Sequence, residues 1–231
     1  MSTLMLVRHA TTAATGRRLG GWTPGVHLDE GGRGQAAATA QQLADVPLAA
    51  VYASPLERTL ETARAIARPH GLPVRQRKGV GEVDYGDWTD QPLGRLRRRK
   101  LWTTIQATPS RVTFPGGESL RGAQARAVTA IEALAVDHGD EHVAVISHAD
   151  IIKAILAHYL GMPLDCFQRL VIAPASISAL QLPAGAAASV LACNTTTHTS
   201  TGPTSAASTS AASTSTASTS TGPTSTGRAS R

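Results

Sequence analysis

The chain has 231 residues, which suits one domain, or one domain plus an appendage. Its 22 Lys and Arg against 16 Asp and Glu leave a net charge of +6, a balance that suits an anionic substrate without requiring one. The two cysteines, Cys166 and Cys193, exclude a disulfide framework, and no apolar run reaches the ~20 residues that cross a bilayer.

The first strand signal is TLMLVRHA, Thr3 to Ala10. The apolar run Leu4 to Val7 stops at Arg8-His9. Unpaired charge is costly in a core, so the strand is expected to open into a pocket there. Ala10 to Gly21 follows as a loop rich in Gly, Thr and Arg. Its N–H groups and hydroxyls can donate to phosphate, with Thr12, Thr15 and Gly21 as candidate contacts. A helix is predicted from Leu28-Asp29-Glu30 to about Ala44, capped by Asp29 and weakened by Gly31, Gly32 and Gly34.

Ala49 to Ala53 reads as a second strand, leading into Ser54-Pro55-Leu56-Glu57-Arg58. The helix from Leu56 to Ala67 has Ser54 as its candidate N-cap. Arg58 falls in the first turn, where a cation opposes the helix dipole unless a bound anion compensates. Gly79 to Trp88 reads as a loop with three acids, Glu82, Asp84 and Asp87, each able to donate a proton to a leaving oxygen. Gln91 to Ala107 reads as one helix. Its cations Arg95, Arg97, Arg98, Arg99 and Lys100 cannot share one face, so most are expected in solvent; the alternative is a rim that draws in anions. No nucleic-acid motif accompanies them. Trp22, Trp88 and Trp102 are read as core or as a substrate wall.

Phe114 to Ser119 reads as a turn, and a Ser119-capped helix runs to about Asp137, with Glu118 and Ser119 as candidate substrate neighbours. His138 and His142 are four apart, but Gly139 breaks any helix between them, so no metal site is expected. His142 to Ile146 is the third strand ending in polar residues, here Ser147-His148, with helix Ala149 to Leu160 behind it. Ser147 and Ala149 are further candidate phosphate or substrate contacts. A short helix near Pro163 to Phe167 and closing strands at Arg169 to Ile172, Ser176 to Leu182 and Ser189 to Cys193 complete a domain expected to span 1–198. From 199 to 231 the chain is Ser, Thr, Ala, Gly and Pro, with no charge before Arg228, and disorder is expected.

Strands alternating with helices imply an α/β fold whose pocket lies at the carboxyl ends of parallel strands. Such strands would bring Arg8, His9, Arg58 and His148 to one point. Two guanidiniums and two imidazoles around a point suit a tetrahedral dianion.

The set R-H-A at 8–10, S-P-L-E-R at 54–58, G-E-V-D-Y-G-D-W at 81–88 and S-H-A at 147–149 resembles the histidine phosphatase superfamily, in the branch related to cofactor-dependent phosphoglycerate mutase. The resemblance covers about residues 3 to 198 and is nearest to a group of short bacterial proteins of phosphomutase or phosphatase type. In the family's R-H-G-E-T-x-x-N loop, this chain has Ala10 for Gly, Thr11 for Glu and Thr15 for Asn, and keeps Thr12. The resemblance implies a three-layer α/β/α sandwich with a mostly parallel sheet. It also selects Glu82 among the three acids.

The implied chemistry is phosphomonoester hydrolysis through phosphohistidine. His9 attacks phosphorus, Arg8, Arg58 and His148 hold the phosphoryl oxygens, and Glu82 protonates the leaving oxygen. A small phosphorylated metabolite is the expected substrate, with no metal, cofactor, nucleic acid or membrane partner, and with a possible homodimer. A mutase is the alternative, disfavoured because 83–114 lacks the Pro-rich stretch that mutases carry there. A non-catalytic phospho-ligand binder is the alternative from another class, disfavoured because all five residues are present. The first strand begins almost at once, leaving no room for a secretory signal, and the thiols suit a reducing compartment, so the expected location is the cytoplasm.

Overall fold

The computed structural model describes residues 1–196; the tail expected at 199–231 lies outside the described residues. Strand β1, Ser2–Arg8, sends alternate side chains to opposite faces of the sheet. Leu4 and Leu6 join one apolar cluster; Met5 and Val7 join another. After the loop comes helix α1, Glu30–Gln42, whose N-cap Asp29 accepts from the Gly32 N–H as expected. Gly32 is needed there: a Cβ would stand 2.1 Å from the Thr11 carbonyl. Strand β2, Leu48–Ala53, and helix α2, Glu57–Ala67, follow. Strand β3, Val74–Gln76, was not anticipated, because three residues carry no readable period.

The single helix expected over Gln91 to Ala107 is two, α3, Leu93–Leu96, and α4, Lys100–Ala107. The break falls within the arginine run, where Arg99 is extended (φ −83°, ψ 141°). A continuous helix would set Arg95 and Arg99 in like-charge i,i+4 contact. Helix α5, Leu120–His138, is capped by Ser119 as expected. Strand β4, His142–Ser147, helix α6, Ala149–Tyr159, and strands β5, Ile177–Leu182, and β6, Ser189–Thr195, complete the described chain. The strand expected at Arg169 to Ile172 is absent. A 3-10 turn covers Leu164–Arg169, and the next residues give backbone groups to side chains: Ile172 O accepts from Arg8, and Ala173 N–H donates to Asn194.

The sheet order is β3-β2-β4-β1-β5-β6. The first four strands are parallel, and β5 and β6 are antiparallel to their neighbours. One face packs on α5 and α6 through Leu6, Val145, Ile131, Leu134, Ile151 and Ile155. The other packs on α1 and α2 through Val7, Val51, Ile146, Ala40 and Ile66. The result is the three-layer sandwich. Register sets Arg8 beside Ser147 and Ala53 beside Ile146, so β1, β4 and β2 end at one level. The residues that follow these strands meet because of that alignment.

Leu6 is fully buried at the centre of the larger cluster. Leu6→Ala is expected to lower unfolding free energy by about 2–5 kcal/mol, from lost burial plus the cavity left behind. Urea denaturation measures this; a loss under about 1 kcal/mol would contradict the packing described.

Candidate active site

The β1 ladder ends at His9, whose N–H donates to the Ser147 carbonyl at 2.9 Å. The His9 ring is buried, and its Nδ1 lies 2.8 Å from the Ala10 carbonyl. A carbonyl can only accept, so Nδ1 carries the proton and Nε2 keeps its lone pair. Burial, then the charges of Arg8 and Arg58, hold the ring well below the usual imidazole range. His9 is therefore a neutral imidazole with a fixed tautomer. Ala10 packs under the loop with Leu28, Ala36 and Ala175.

His148 follows β4 and is fully buried. Its ring meets that of His9 edge-on, with centroids 5.3 Å apart. Nε2 stands 2.8 Å from Ser54 Oγ, and Arg58 Nη2 reaches Nδ1 at 3.4 Å. Guanidinium only donates, so Nδ1 accepts and Nε2 donates to the serine. Ser54 was expected to cap α2. Instead α2 begins after Leu56 with no side-chain cap, and Ser54 orients the second imidazole. Burial, then Arg58, His9 and Arg8, keep His148 neutral too.

The two guanidiniums complete the cluster. Arg58 Nη2 donates to Gly21 O at 2.7 Å, while its Nη1 is buried with no partner. Arg8 Nη1 donates to Ile172 O at 2.6 Å, and its Nε is likewise buried and unpartnered. Burial lowers both from the usual arginine range, and Glu82 partly offsets this. Among the described residues neither makes a salt bridge to a carboxylate. Buried donors without acceptors are uncommon in native structures, and here two of them belong to groups lining one site.

Glu82 brings a carboxyl group to the cluster. Its Oε1 accepts from Val83 N–H at 3.0 Å, and its Oε2 lies 3.5 Å from His148 Nδ1. Burial, then the charge of Asp150, raise its carboxyl to about 7, against opposing pulls from Arg58, the Val83 N–H and Arg8. At neutral pH a carboxyl of this kind still carries its proton in about half of the molecules, beside a neutral imidazole. The backbone of Glu82 is clamped from two sides. Trp22 Nε1 donates to its carbonyl at 2.8 Å, and Arg126 Nη2 reaches the same oxygen at 3.3 Å. Arg126 also donates to Gly79 O at 2.7 Å and to Glu118 Oε1 at 2.7 Å. Gly81 admits the Trp22 ring, which a Cβ would meet at 2.5 Å.

The structure thus brings Arg8, His9, Arg58, Glu82 and His148 together. The remaining expected contacts divide. Thr12 N–H donates to Thr15 Oγ1 at 2.9 Å and the two hydroxyls lie 3.1 Å apart, so this pair shapes the loop behind His9. Thr11, where the family pattern has Glu, donates to Asp29 at 2.9 Å. Gly21 presents its carbonyl to Arg58 and so positions that side chain. Ser147 is corrected: its hydroxyl donates to Val80 O at 2.7 Å and ties the acid segment to β4 instead of facing a ligand. Ala149 opens α6 with only a methyl side chain. Glu118 and Ser119 are corrected as well, one paired with Arg126 and the Asp84 N–H, the other capping α5. Trp88 and Trp102 are core.

Sequence reasoning missed the roles of Ser54, Trp22 and Arg126. Only Ser54 carried a signal, through its place at a strand end. Among the described residues no three His, Cys, Asp or Glu side chains are grouped to hold a metal ion, and no helix is long and apolar enough to cross a membrane.

Comparison with known proteins agrees with this geometry. The model of the histidine phosphatase superfamily, branch 1, matches residues 4–195. Phosphoserine phosphatase 1 of Hydrogenobacter thermophilus is 33% identical over 174 residues, covering 72% of this chain and 80% of that protein. An acid phosphatase of Mycobacterium tuberculosis is 32% identical over 184 residues, covering 75% and 83%. Among solved structures, Bacillus stearothermophilus YhfR superposes with a TM-score of 0.78 at 27% identity, covering 83% of this chain and 96% of that one. The chain belongs to the histidine phosphatase superfamily and is a phosphatase of that family.

Proposed function

We propose that the protein hydrolyses small phosphomonoesters in two steps through a phosphohistidine at His9. The observation that carries this reading is the pair of buried, unpartnered guanidinium donors, on Arg8 Nε and Arg58 Nη1, beside a neutral imidazole with a free Nε2. In the first step the Nε2 lone pair of His9 forms the N–P bond as the ester P–O bond breaks. The proton of Glu82 goes to the leaving oxygen. In the second, a water attacks phosphorus, its proton returns to Glu82, the N–P bond breaks and inorganic phosphate leaves. Arg8, Arg58 and His148 hold the non-bridging oxygens, where positioned donors contribute most to such transfers.

The named substrates of the relatives, phosphoserine among them, support a small phosphorylated metabolite as the substrate class. The free thiols Cys166 and Cys193 support a reducing compartment such as the cytoplasm. A homodimer through an exposed strand edge belongs to the same proposal, and mass in solution tests it.

His9→Ala is expected to abolish phosphate release from p-nitrophenyl phosphate. Retention of more than a few per cent of activity would contradict the nucleophile assignment. Assay of phosphoglycerates separates hydrolysis from mutase activity: net phosphate release is expected, and interconversion without release would reverse the reading. Orthovanadate, a five-coordinate phosphorus mimic, is expected to inhibit competitively.

The pH profile follows from signs. His9 must be neutral, which burial secures from acidic pH upward. Glu82 must be protonated, and its carboxyl titrates at about 7. For an alkyl phosphate, kcat/KM is expected to fall about tenfold per pH unit well above 7. Glu82→Gln is expected to remove that limb and ~10²–10⁴-fold of the rate. A profile flat from pH 6 to 9 in the unmodified protein would contradict the assignment of Glu82.

A further inference from the structure

Arg126 uses its donors differently from the two arginines of the site. Arg8 Nε and Arg58 Nη1 are buried without a partner, whereas every N–H of Arg126 is taken. Its Nη1 donates to Gly79 O at 2.7 Å and to Gly81 O at 3.2 Å, and its Nη2 donates to Glu82 O at 3.3 Å. The same Nη2 donates to Glu118 Oε1 at 2.7 Å, and Nε donates to Glu118 Oε2 at 3.3 Å. A guanidinium has five N–H donors, and these bonds use all of them. Arg126 therefore has none left for a phosphoryl oxygen, and what it holds is the backbone that carries Glu82.

That backbone has no ladder of its own, since residues 81–85 form neither helix nor strand. Its successive carbonyls, Gly79 to Glu82, accept instead from side chains of other segments. Arg126, on α5, reaches the first, third and fourth. Ser147, at the end of β4, donates to the second, Val80 O, at 2.7 Å, and Trp22 Nε1 shares the fourth at 2.8 Å. Packing is equally close: a Cβ on Gly79 would stand 2.5 Å from the methyl of Ala130, one turn beyond Arg126. Glu118, which orients the guanidinium, also accepts from Asp84 N–H at 2.9 Å, and its own N–H donates to Asp84 O at 2.9 Å. Among the described residues the Glu82 carboxyl has one hydrogen bond, from the adjoining Val83 N–H, and stands 3.5 Å from His148 Nδ1. The carboxyl thus goes where its backbone goes.

Resting on the phosphohistidine reading above, we propose that Arg126 is a positioning residue of the reaction: by holding the Gly79, Gly81 and Glu82 carbonyls at once, it fixes where the Glu82 carboxyl meets the leaving oxygen. A general acid acts only within hydrogen-bond reach of the atom it protonates, and a displacement of about 1 Å can cost ~10²-fold in rate. The effect falls on protonation of the leaving group and not on the phosphate grip. Arg8, His9, Arg58 and His148 are oriented by other partners, the carbonyls of Ile172, Ala10 and Gly21 and the hydroxyl of Ser54.

The test uses Arg126→Met, which keeps an unbranched stem and removes every donor, and Arg126→Lys, which keeps a cation but not the planar fork that spans three carbonyls. For each, kcat/KM is measured with glycerol phosphate, whose alkoxide must be protonated, and with p-nitrophenyl phosphate, whose phenolate leaves without help. In Arg126→Met the alkyl ester is expected to lose about tenfold more than the aryl ester, or greater. In Arg126→Lys the same preference is expected at about threefold or greater. Orthovanadate, which reports the phosphate grip, is expected to keep its inhibition constant within about twofold in both. The ratio between the two esters does not depend on the fraction of molecules folded, so a protein that is merely destabilised loses both equally. Equal losses for the two esters, or orthovanadate weakened as much as the alkyl ester, overturn the proposal. Where Arg126→Met does not fold, Arg126→Lys decides by the same comparison. Failure of the underlying reading shows separately, as no hydrolysis of either ester by the unmodified protein or as equal losses of both in Glu82→Gln.

Discussion

Two guanidinium groups, each with a buried N–H donor and with no carboxylate bonded to it, are the constraint on which the rest of this structure depends. Desolvating a charge costs several kcal/mol after relaxation, and breaking a buried pair commonly costs 3–5 kcal/mol, so groups of this kind require compensation. Arg58 receives part of it from the Gly21 carbonyl, and Arg8 from the Ile172 carbonyl. Each still has a buried N–H group without an acceptor. A dianion with tetrahedral oxygens would supply the charge and the acceptors that are missing. The unliganded site thus keeps unmet hydrogen-bonding capacity that a phosphoryl group would meet.

That arrangement also explains the neutrality of the imidazoles. Burial first, and then two neighbouring cations, make a positive charge on either ring unfavourable, so His9 and His148 stay unprotonated. For His9 this keeps a lone pair on Nε2; for His148 it leaves a ring that donates one way, to Ser54, and accepts the other, from Arg58. Glu82 is affected differently. The cations would ionise it, and burial together with Asp150 outweighs them. One electrostatic balance therefore keeps both rings neutral and sets the Glu82 carboxyl to titrate at about 7.

Much of this was legible from residues because three strands end in the same way. Apolar runs closing on Arg8-His9, on Ser54 to Arg58 and on Ser147-His148 can all be buried only if their ends share a pocket. The register of β1, β4 and β2 delivers that. What stayed hidden was fixed by bonds between distant segments. Ser54 looked like a helix cap because capping is a local rule, and its actual partner, His148, is 94 residues away. Ser147 looked like a ligand because it adjoins His148, and its hydroxyl is occupied by Val80. The run Arg169 to Ile172 has a strand-like composition, but Arg8 and Asn194 use the Ile172 carbonyl and the Ala173 N–H. Arg126 gave no signal at all: a cation among alanines in α5 shows its purpose only when it grips the Gly79–Glu82 backbone.

The central claim is that the His9 imidazole carries phosphate, and rapid acid-free quenching of turnover with a ³²P-labelled monoester tests it most directly. The account predicts label bound to protein, lost in acid and stable in alkali, on the peptide that contains His9 and at no other position. Label absent during turnover, or found on any other residue, would contradict it.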